Sequence, residues 1–179
     1  MLFGDPRTFA IEIYHEPSSV DSRGFGRMCL HTSNKTIGDI FENHCSLHDA
    51  IARITTSASN IDSLWHDEFQ GKDDQEIFKI LDEYLYIGDH ALWPCYGHFD
   101  FLTNSGEQFD DTKTFLYRSP LTDQLHLLYQ CSSEPPASSS FPTNSFLESA
   151  NGLKHWFQHE ISKPPARLYP VDPFESEKA

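Results

Sequence analysis

The chain has 179 residues, 38% of them hydrophobic, which is enough for one packed domain without disulfides or a metal ion. Its 13 Lys and Arg against 27 Asp and Glu give a net charge of −14, which argues against nucleic-acid binding and against adsorption to anionic membranes. No apolar run approaches the ~20 residues of a membrane helix. Residues 1–13 lack the apolar stretch of a signal peptide, so we expect a cytoplasmic protein.

The N-terminal part of the chain predicts a β-hairpin. Residues 9–14 alternate between two faces in the manner of a half-buried strand, and residues 27–31 supply a second strand to pair with it. Residues 36–39 add a third short extended piece. The Gly-Asp-Pro sequence at residues 4–6 predicts a turn that fixes where the first strand enters the sheet.

Two helices are predicted next. Ser46 followed by Asp49 has the spacing of a capping box, and three apolar residues behind it fall on one helical face: Leu47, Ile51 and Ile54. A second helix is predicted over residues 73–86, and Gly88 follows its end. Its apolar residues have the 3-4-3-4 spacing of a core-facing helix: Ile77, Phe78, Leu81, Tyr84 and Leu85.

The following region changes to a period of two. Residues 98–103, 113–118 and 124–130 have strand-like patterns, and the short turns between them predict an antiparallel meander. Residues 132–144 contain five Ser and three Pro, which is typical of a loop or linker.

A last helix is predicted behind Ser145 and Glu148, which repeat the capping-box spacing, and the prolines at 164–165 end it. Its core stripe is Phe146, Ala150, Leu153, Phe157 and Ile161. Residues 164–179 form a proline-rich tail without periodicity. The sequence thus predicts a single α+β domain over residues 1–163, with one antiparallel sheet and about three helices packed on one face.

Motifs for catalysis and cofactor binding are absent from the sequence, which has no Walker loop, nucleophile elbow, H-E-x-x-H or EF-hand pattern. We therefore predict no catalytic residue and no cofactor. One alternative is a small enzyme, since His98 and Asp100 would share a face of the predicted strand, where the carboxylate can orient a general base. A non-catalytic adaptor domain is the other alternative.

Two histidine groups have spacings that suit a metal ion. His155 and His159 lie four residues apart on the last helix, and His44, Cys45 and His48 are close in sequence. A transition-metal site needs three or four converging ligands, which neither group supplies locally, so we expect no metal. The cysteines have no C-x-x-C pair and are expected to be reduced thiols: Cys29, Cys45, Cys95 and Cys131.

Acidic residues are concentrated in the middle of the chain. Residues 62–83 carry 8 acidic and 2 basic side chains, and residues 84–131 carry 6 and 2. Such a surface attracts a basic partner, and aromatic residues within it are expected to be the buried anchors of the interface. In the alternative, the charges only keep the protein soluble, and the interface lies in the N-terminal hairpin or the C-terminal tail. The predicted partner-binding residues are Asp62, Trp65, Asp67, Glu68, Phe69, Asp82, Glu83, Phe109, Asp110 and Asp111.

The N-terminal sequence carries a family resemblance. Residues 1–6 (MLFGDP), followed by residues 9–11 (FAI), resemble the start of immunity-protein family 42 of bacterial polymorphic toxin systems. The resemblance implies a small cytosolic α+β protein that neutralises a neighbouring gene's toxin by binding it, and it implies no catalytic residue. With the acidic middle region, it predicts an immunity protein that occludes a basic active-site surface of its toxin.

Overall fold

A computed structural model describes residues 1–16, 24–41, 45–88 and 90–162. In these ranges, two antiparallel sheets and four α-helices surround one continuous hydrophobic core. The α+β class is confirmed, whereas the single sheet is wrong. The helical middle of the chain separates the two groups of strands, and each group completes its backbone hydrogen bonds within itself. Among the described helices, none has the length and apolar character needed to cross a membrane.

The first sheet contains the predicted hairpin. Its strands are β1 (Leu2–Asp5), β2 (Phe9–His15), β3 (Phe25–Thr32) and β4 (Thr36–Ile37), in that spatial order, and the short β5 (Cys45–Ser46) also pairs with β3. All pairings are antiparallel. The alternation in the sequence therefore located β2 and β3 and the short β4, but it did not reveal β1.

The strand β1 forms because the chain turns sharply just after it. The backbone N–H of Thr8 donates to the carbonyl oxygen of Asp5 at 2.9 Å, so the turn lies later than the predicted one. Gly4 has a φ of +102°, and a Cβ there would lie 2.4 Å from the carbonyl oxygen of Phe9. Only glycine allows the two strands to approach this closely.

The second sheet consists of β6 (Thr112–Ser119), β7 (Gln124–Cys131) and β8 (Ala137–Pro142). The strands predicted over 113–118 and 124–130 are confirmed. The strand predicted over residues 98–103 is wrong, because Gly97–Phe99 forms a 3-10 turn and the residues that follow it pair with β6 through a single isolated bridge, Asp100 with Phe115. The loop predicted over 132–144 is also wrong, since it contains β8.

A polar sequence forms β8 because its alternate side chains reach the core. Ser139 and Phe141 are buried, and the hydroxyl oxygen of Ser139 lies 3.0 Å from that of Thr32 in the first sheet. The rings of Phe141 and Phe9 also meet across the two sheets, with centroids 4.5 Å apart. The strand is therefore the element that joins the two sheets.

The helices are α1 (His48–Ser59), α2 (Asp74–Asp82), α3 (Trp93–Tyr96) and α4 (Thr143–Ser162). Asp73 and Glu76 form a capping box on α2, which continues as a π-turn over Glu83–Ile87 and so spans the predicted second helix. The capping box predicted at Ser46 is wrong, because the N-cap of α1 has no side-chain hydrogen bond. The capping box predicted at Ser145 does not start α4, because Ser145 lies inside this helix. The predicted end of α4 at 164–165 and the tail lie outside the described residues.

The helix α2 runs along β6 in the opposite direction. Eight residues of helix rise about 12 Å and four residues of strand about 13 Å, so every fourth helical residue meets every second strand residue. Through these contacts, α2 packs against the second sheet with its acidic residues Asp74 and Asp82 facing β6. In order along α2 the contacts are Asp74 with Tyr117, Phe78 with Phe115, and Asp82 with Lys113.

Candidate protein-binding surface

The predicted acidic residues divide into two groups, and those of the first group form ion pairs or hydrogen bonds with other side chains of this protein. Asp62 pairs with Arg118, and Asp82 pairs with Lys113. Glu68 accepts hydrogen bonds from two tyrosines of the neighbouring segments. We call these the engaged carboxylates and add to them two residues that the sequence did not assign to this role, Asp74 and Asp100.

Glu68 is held at the centre of an aromatic cluster. The hydroxyl of Tyr96 donates to its carboxylate at 2.6 Å and that of Tyr84 at 3.0 Å. The hydrogen bond to Glu68 raises the pKa of Tyr84, and burial together with Glu68 raises the pKa of Tyr96. Both tyrosines therefore stay protonated as donors, and Glu68 fixes α3 against the 3-10 turn that contains Asp67.

The second group is open to solvent. In the part of the chain that the structure describes, no Lys, Arg or His nitrogen lies within 4.0 Å of these side chains, all of which are exposed. We call them the free carboxylates: Asp67, Glu83, Asp110 and Asp111. They are therefore accessible to a partner or to solvent.

Two of the three predicted aromatic anchors belong to the core. Phe69 and Phe109 are 1% and 0% exposed, so neither side chain can reach a partner in the folded protein. Trp65 is half-buried, with its ring 5.9 Å from that of Phe69 and 6.4 Å from that of Tyr117. The acidic neighbours of these three rings predict a surface position, but the rings lie in the core or pack against it.

Three apolar side chains that the sequence did not predict as partner-binding residues are exposed instead. Ile87, Leu92 and Trp93 are 67%, 39% and 41% exposed. The Trp93 ring rests on the backbone of Gly97, where a Cβ would lie 3.0 Å from it. The sequence signal for this apolar group is the run ALWPC at residues 91–95, in which polar and apolar residues do not alternate. All five of these residues are exposed.

Two free carboxylates lie on the segments that carry or contact this apolar group. Glu83 lies one turn before Ile87, and Asp67 precedes Glu68, which holds α3 through Tyr96. We call the resulting set the α3 surface: Asp67, Glu83, Ile87, Leu92 and Trp93. Apolar residues surrounded by charge are the usual anatomy of a protein-binding surface.

Asp110 and Asp111 lie in a neighbouring acidic region. Together with Asp39 and Glu107 they line a cleft of about 470 Å³, which we call the acidic cleft. They also line a second cleft of about 320 Å³ with Tyr86, the residue before Ile87. The acidic region therefore continues from the α3 surface toward the junction of the two sheets.

His98 and Asp100 do not form the pair that the enzyme alternative requires. The Asp100 carboxylate is 1% exposed and accepts from Arg53 Nη1 at 2.6 Å and from the Tyr86 hydroxyl at 2.9 Å. The Nε2 atom of His98 lies 3.0 Å from the carbonyl oxygen of Ser63, and burial lowers the pKa of this histidine. The cavity that both residues line is about 240 Å³, below the ~300 Å³ of a typical ligand site.

Neither histidine group with metal-binding spacing is shown to form a cluster of three ligands. His155 and His159 are exposed on α4, and among the described residues no group of three ligand atoms within 4.8 Å of one another includes them. His44 and the side chain of Cys45 lie outside the described residues. The structure instead brings together Glu12, Cys29 and His31, which are separated in sequence and were not considered as a group.

Three cysteine side chains are described, and all three are free thiols. Cys29 is buried, Cys95 is exposed and Cys131 is half-buried. Burial, with the charges of Glu12 and Asp39, raises the pKa of Cys29 to about 12. Its thiol is therefore protonated at neutral pH.

Comparison with known proteins adds two findings. The sequence profile of the family described as immunity protein 42 matches residues 1–156. Among solved structures, the fold is similar to that of CdiI from Burkholderia dolosa AUO158, with a TM-score of 0.60 and 13% identity over 87% of this chain and 99% of that one. At this identity, the likeness concerns the fold alone. Comparison with curated protein sequences gives no significant match.

Proposed function

Because the chain belongs to the immunity protein 42 family, it is a toxin-neutralising immunity protein, and we propose that its α3 surface binds a basic surface of the cognate toxin. The observation that carries this proposal is the exposure of Ile87, Leu92 and Trp93 beside free carboxylates. A tryptophan surrounded by charge is the type of residue that dominates binding energy at interfaces.

The free carboxylates give the proposed complex its charge complementarity. Glu83 lies one turn before Ile87, and Asp67 lies in the turn that Glu68 connects to α3. Asp110 and Asp111 line a cleft together with Tyr86. With a net charge of −14, the protein attracts a basic partner over several ångströms and accelerates the encounter. Engaged carboxylates contribute less to this attraction, because each already has a partner within the fold.

Occlusion of a basic groove is the mode of neutralisation that this chemistry favours. A groove that binds an anionic substrate presents Lys and Arg side chains, and the free carboxylates would compete with the substrate for them. We propose that this happens in the cytoplasm and by binding rather than catalysis, as the family suggests. The contacts of His98 with the Ser63 carbonyl and of Asp100 with Arg53 and Tyr86 support binding over the enzyme alternative.

The test measures binding to the toxic domain encoded beside this gene. We expect Trp93→Ala to weaken binding roughly 30-fold or more, mainly through faster dissociation, because an anchor of about 2 kcal/mol is lost. Asp67→Lys with Glu83→Lys should slow association and reduce its dependence on salt. Glu68 is left unchanged, because its loss would release the two tyrosines that position α3.

Matched controls separate this surface from the rest of the molecule. Leu121→Ala removes an exposed apolar side chain in the β6–β7 turn, and Glu148→Lys reverses an exposed charge on α4. Both controls should bind and protect like the wild type. If Trp93→Ala and the double charge reversal also bind normally at low and high salt, the α3 surface is not the interface, whereas the family assignment is unaffected.

A further inference from the structure

Three side chains with metal-ligating atoms meet on the outer face of the first sheet. Glu12 of β2 lies opposite Cys29 of β3, and His31 follows two residues later on the same face. Their ligating atoms all lie within 4.8 Å of one another. We propose that Glu12, Cys29 and His31 bind a divalent transition-metal ion, for which Zn²⁺ is the best match, and leave one coordination position open.

The distances suit a tetrahedral ion after one small movement. With a Zn–S bond of about 2.3 Å and a Zn–N bond of about 2.0 Å, the two ligand atoms of a tetrahedron lie about 3.5 Å apart. The Sγ atom of Cys29 and the Nε2 atom of His31 are 3.6 Å apart. Glu12 Oε2 is 2.7 Å from Nε2 and 4.0 Å from Sγ, so only this flexible carboxylate has to shift by about half an ångström.

His31 already has the second hydrogen bond that a metal-binding histidine requires. Its Nδ1 atom lies 3.0 Å from the hydroxyl oxygen of Thr36 on β4. When Nδ1–H donates to this hydroxyl, Nε2 carries the lone pair that faces Cys29 and Glu12. Partners of this kind fix the ring orientation and the tautomer of metal-binding histidines.

The surroundings favour a cation at this position. Thr36 also lines the acidic cleft, which holds the carboxylates of Asp39, Glu107, Asp110 and Asp111. Such a cleft concentrates cations near its walls. Binding of the ion displaces the proton of the Cys29 thiol, which is released to solvent. The ligand set then selects among cations, because a thiolate and an imidazole prefer zinc and similar ions over Mg²⁺ and Ca²⁺.

The architecture also suits an open site. Two neighbouring antiparallel strands hold the three ligands in a fixed register, so their geometry does not depend on a loop. Glu12 and His31 are partly exposed, and a fourth ligand can reach the ion from solvent. Three protein ligands with a vacant position are typical of reactive zinc sites, whereas structural sites are closed by four.

The experiment uses the full chain, reduced, stripped of metal and without a histidine tag. Zn²⁺ is titrated in competition with a chromophoric chelator, and Co²⁺ serves as the spectroscopic probe. We expect about one ion per chain and a thiolate-to-cobalt charge-transfer band. Cys29→Ser, His31→Gln and Glu12→Gln should each weaken Zn²⁺ binding at least 10-fold, and Thr36→Val should weaken it about 10-fold through His31.

Controls and a second readout keep the proposal open to refutation. Cys95→Ser and His159→Gln remove an exposed thiol and an exposed imidazole elsewhere and should leave Zn²⁺ affinity unchanged. If Cys29→Ser fails to fold, the wild-type melting temperature should still rise saturably with Zn²⁺ and fall back with chelator, and Glu12→Gln should need at least ten times more Zn²⁺ for the same rise. The absence of a charge-transfer band, or equal Zn²⁺ affinity in His31→Gln and wild type, would overturn the proposal.

Discussion

Asp100 and Asp110 lie ten residues apart in the same acidic part of the chain, yet the fold uses them in opposite ways. Asp100 is buried and holds Arg53 of α1 and the hydroxyl of Tyr86. Asp110 is exposed at the edge of the acidic cleft, and among the described residues no Lys, Arg or His nitrogen lies within 4.0 Å of its carboxylate. The same negative charge therefore stabilises the fold in one place and remains available to a partner in the other.

The largest expected effect comes from Asp100. Asp100→Ala should destabilise the protein by about 3 kcal/mol, because it removes a buried carboxylate that accepts from the partly buried Tyr86 hydroxyl and from Arg53, whose side chain is 39% exposed. Asp62→Ala is the matched control, since this carboxylate also pairs with an arginine but is 90% exposed, and it should cost less than about 1 kcal/mol. Urea unfolding at neutral pH measures both, and equal losses would contradict the distinction between buried and exposed pairs.

Substitution of Asp74 should give the next largest loss of stability, and this loss should depend on pH. Burial raises the pKa of its carboxyl, but hydrogen bonds from His126, Ser138 and Tyr117 outweigh burial and lower the pKa from 3.8 to about 2. A lowered folded-state pKa stabilises the protein above the unfolded pKa of about 4, and this contribution is lost as the pH falls toward 2. Asp74→Asn should therefore cost on the order of 2 kcal/mol at pH 7.

The test of Asp74 compares unfolding free energies across this pH window. The difference between wild type and Asp74→Asn should shrink steadily between about pH 4 and pH 2. Asp49→Asn is the control, because Asp49 also lies in the first turn of a helix and is exposed. A difference for Asp74 that does not change with pH would show that its hydrogen bonds do not depend on its charge.

The pair of Asp82 and Lys113 should have an intermediate effect. Both side chains are partly buried, and the ammonium of Lys113 also lies 4.9 Å from the centre of the Tyr86 ring. A double-mutant cycle with Asp82→Asn and Lys113→Met should give a coupling free energy of about 1 kcal/mol. A coupling near zero would place Asp82 with the free carboxylates.

The free carboxylates should have the smallest effect on stability. Asp110→Asn with Asp111→Asn should change the unfolding free energy by no more than about 0.5 kcal/mol. At low salt the change should be toward greater stability, because it relieves part of the repulsion within a chain of net charge −14. Thermal unfolding at low and high salt measures this, and a clear loss of stability would mean that these residues have partners in the fold.

Local patterns in the sequence determined much of the secondary structure. The alternation in residues 9–14 and 124–130 predicted β2 and β7, and the helical spacing behind Asp73 predicted α2, because each pattern depends only on near neighbours. The acidic bias and the resemblance in the first eleven residues, which pointed to an immunity protein, were equally visible in the sequence.

Only the tertiary structure decided which residues form the proposed surfaces. The strand β8 has a polar sequence and forms because it pairs with β7 and buries its alternate side chains, Ser139 and Phe141, in the core. Whether an aromatic residue is core or surface depends on distant segments: Phe109 packs beneath Gly38, and Trp93 is left exposed. Glu12 and Cys29 meet through strand register, a contact over 17 residues that no local pattern encodes.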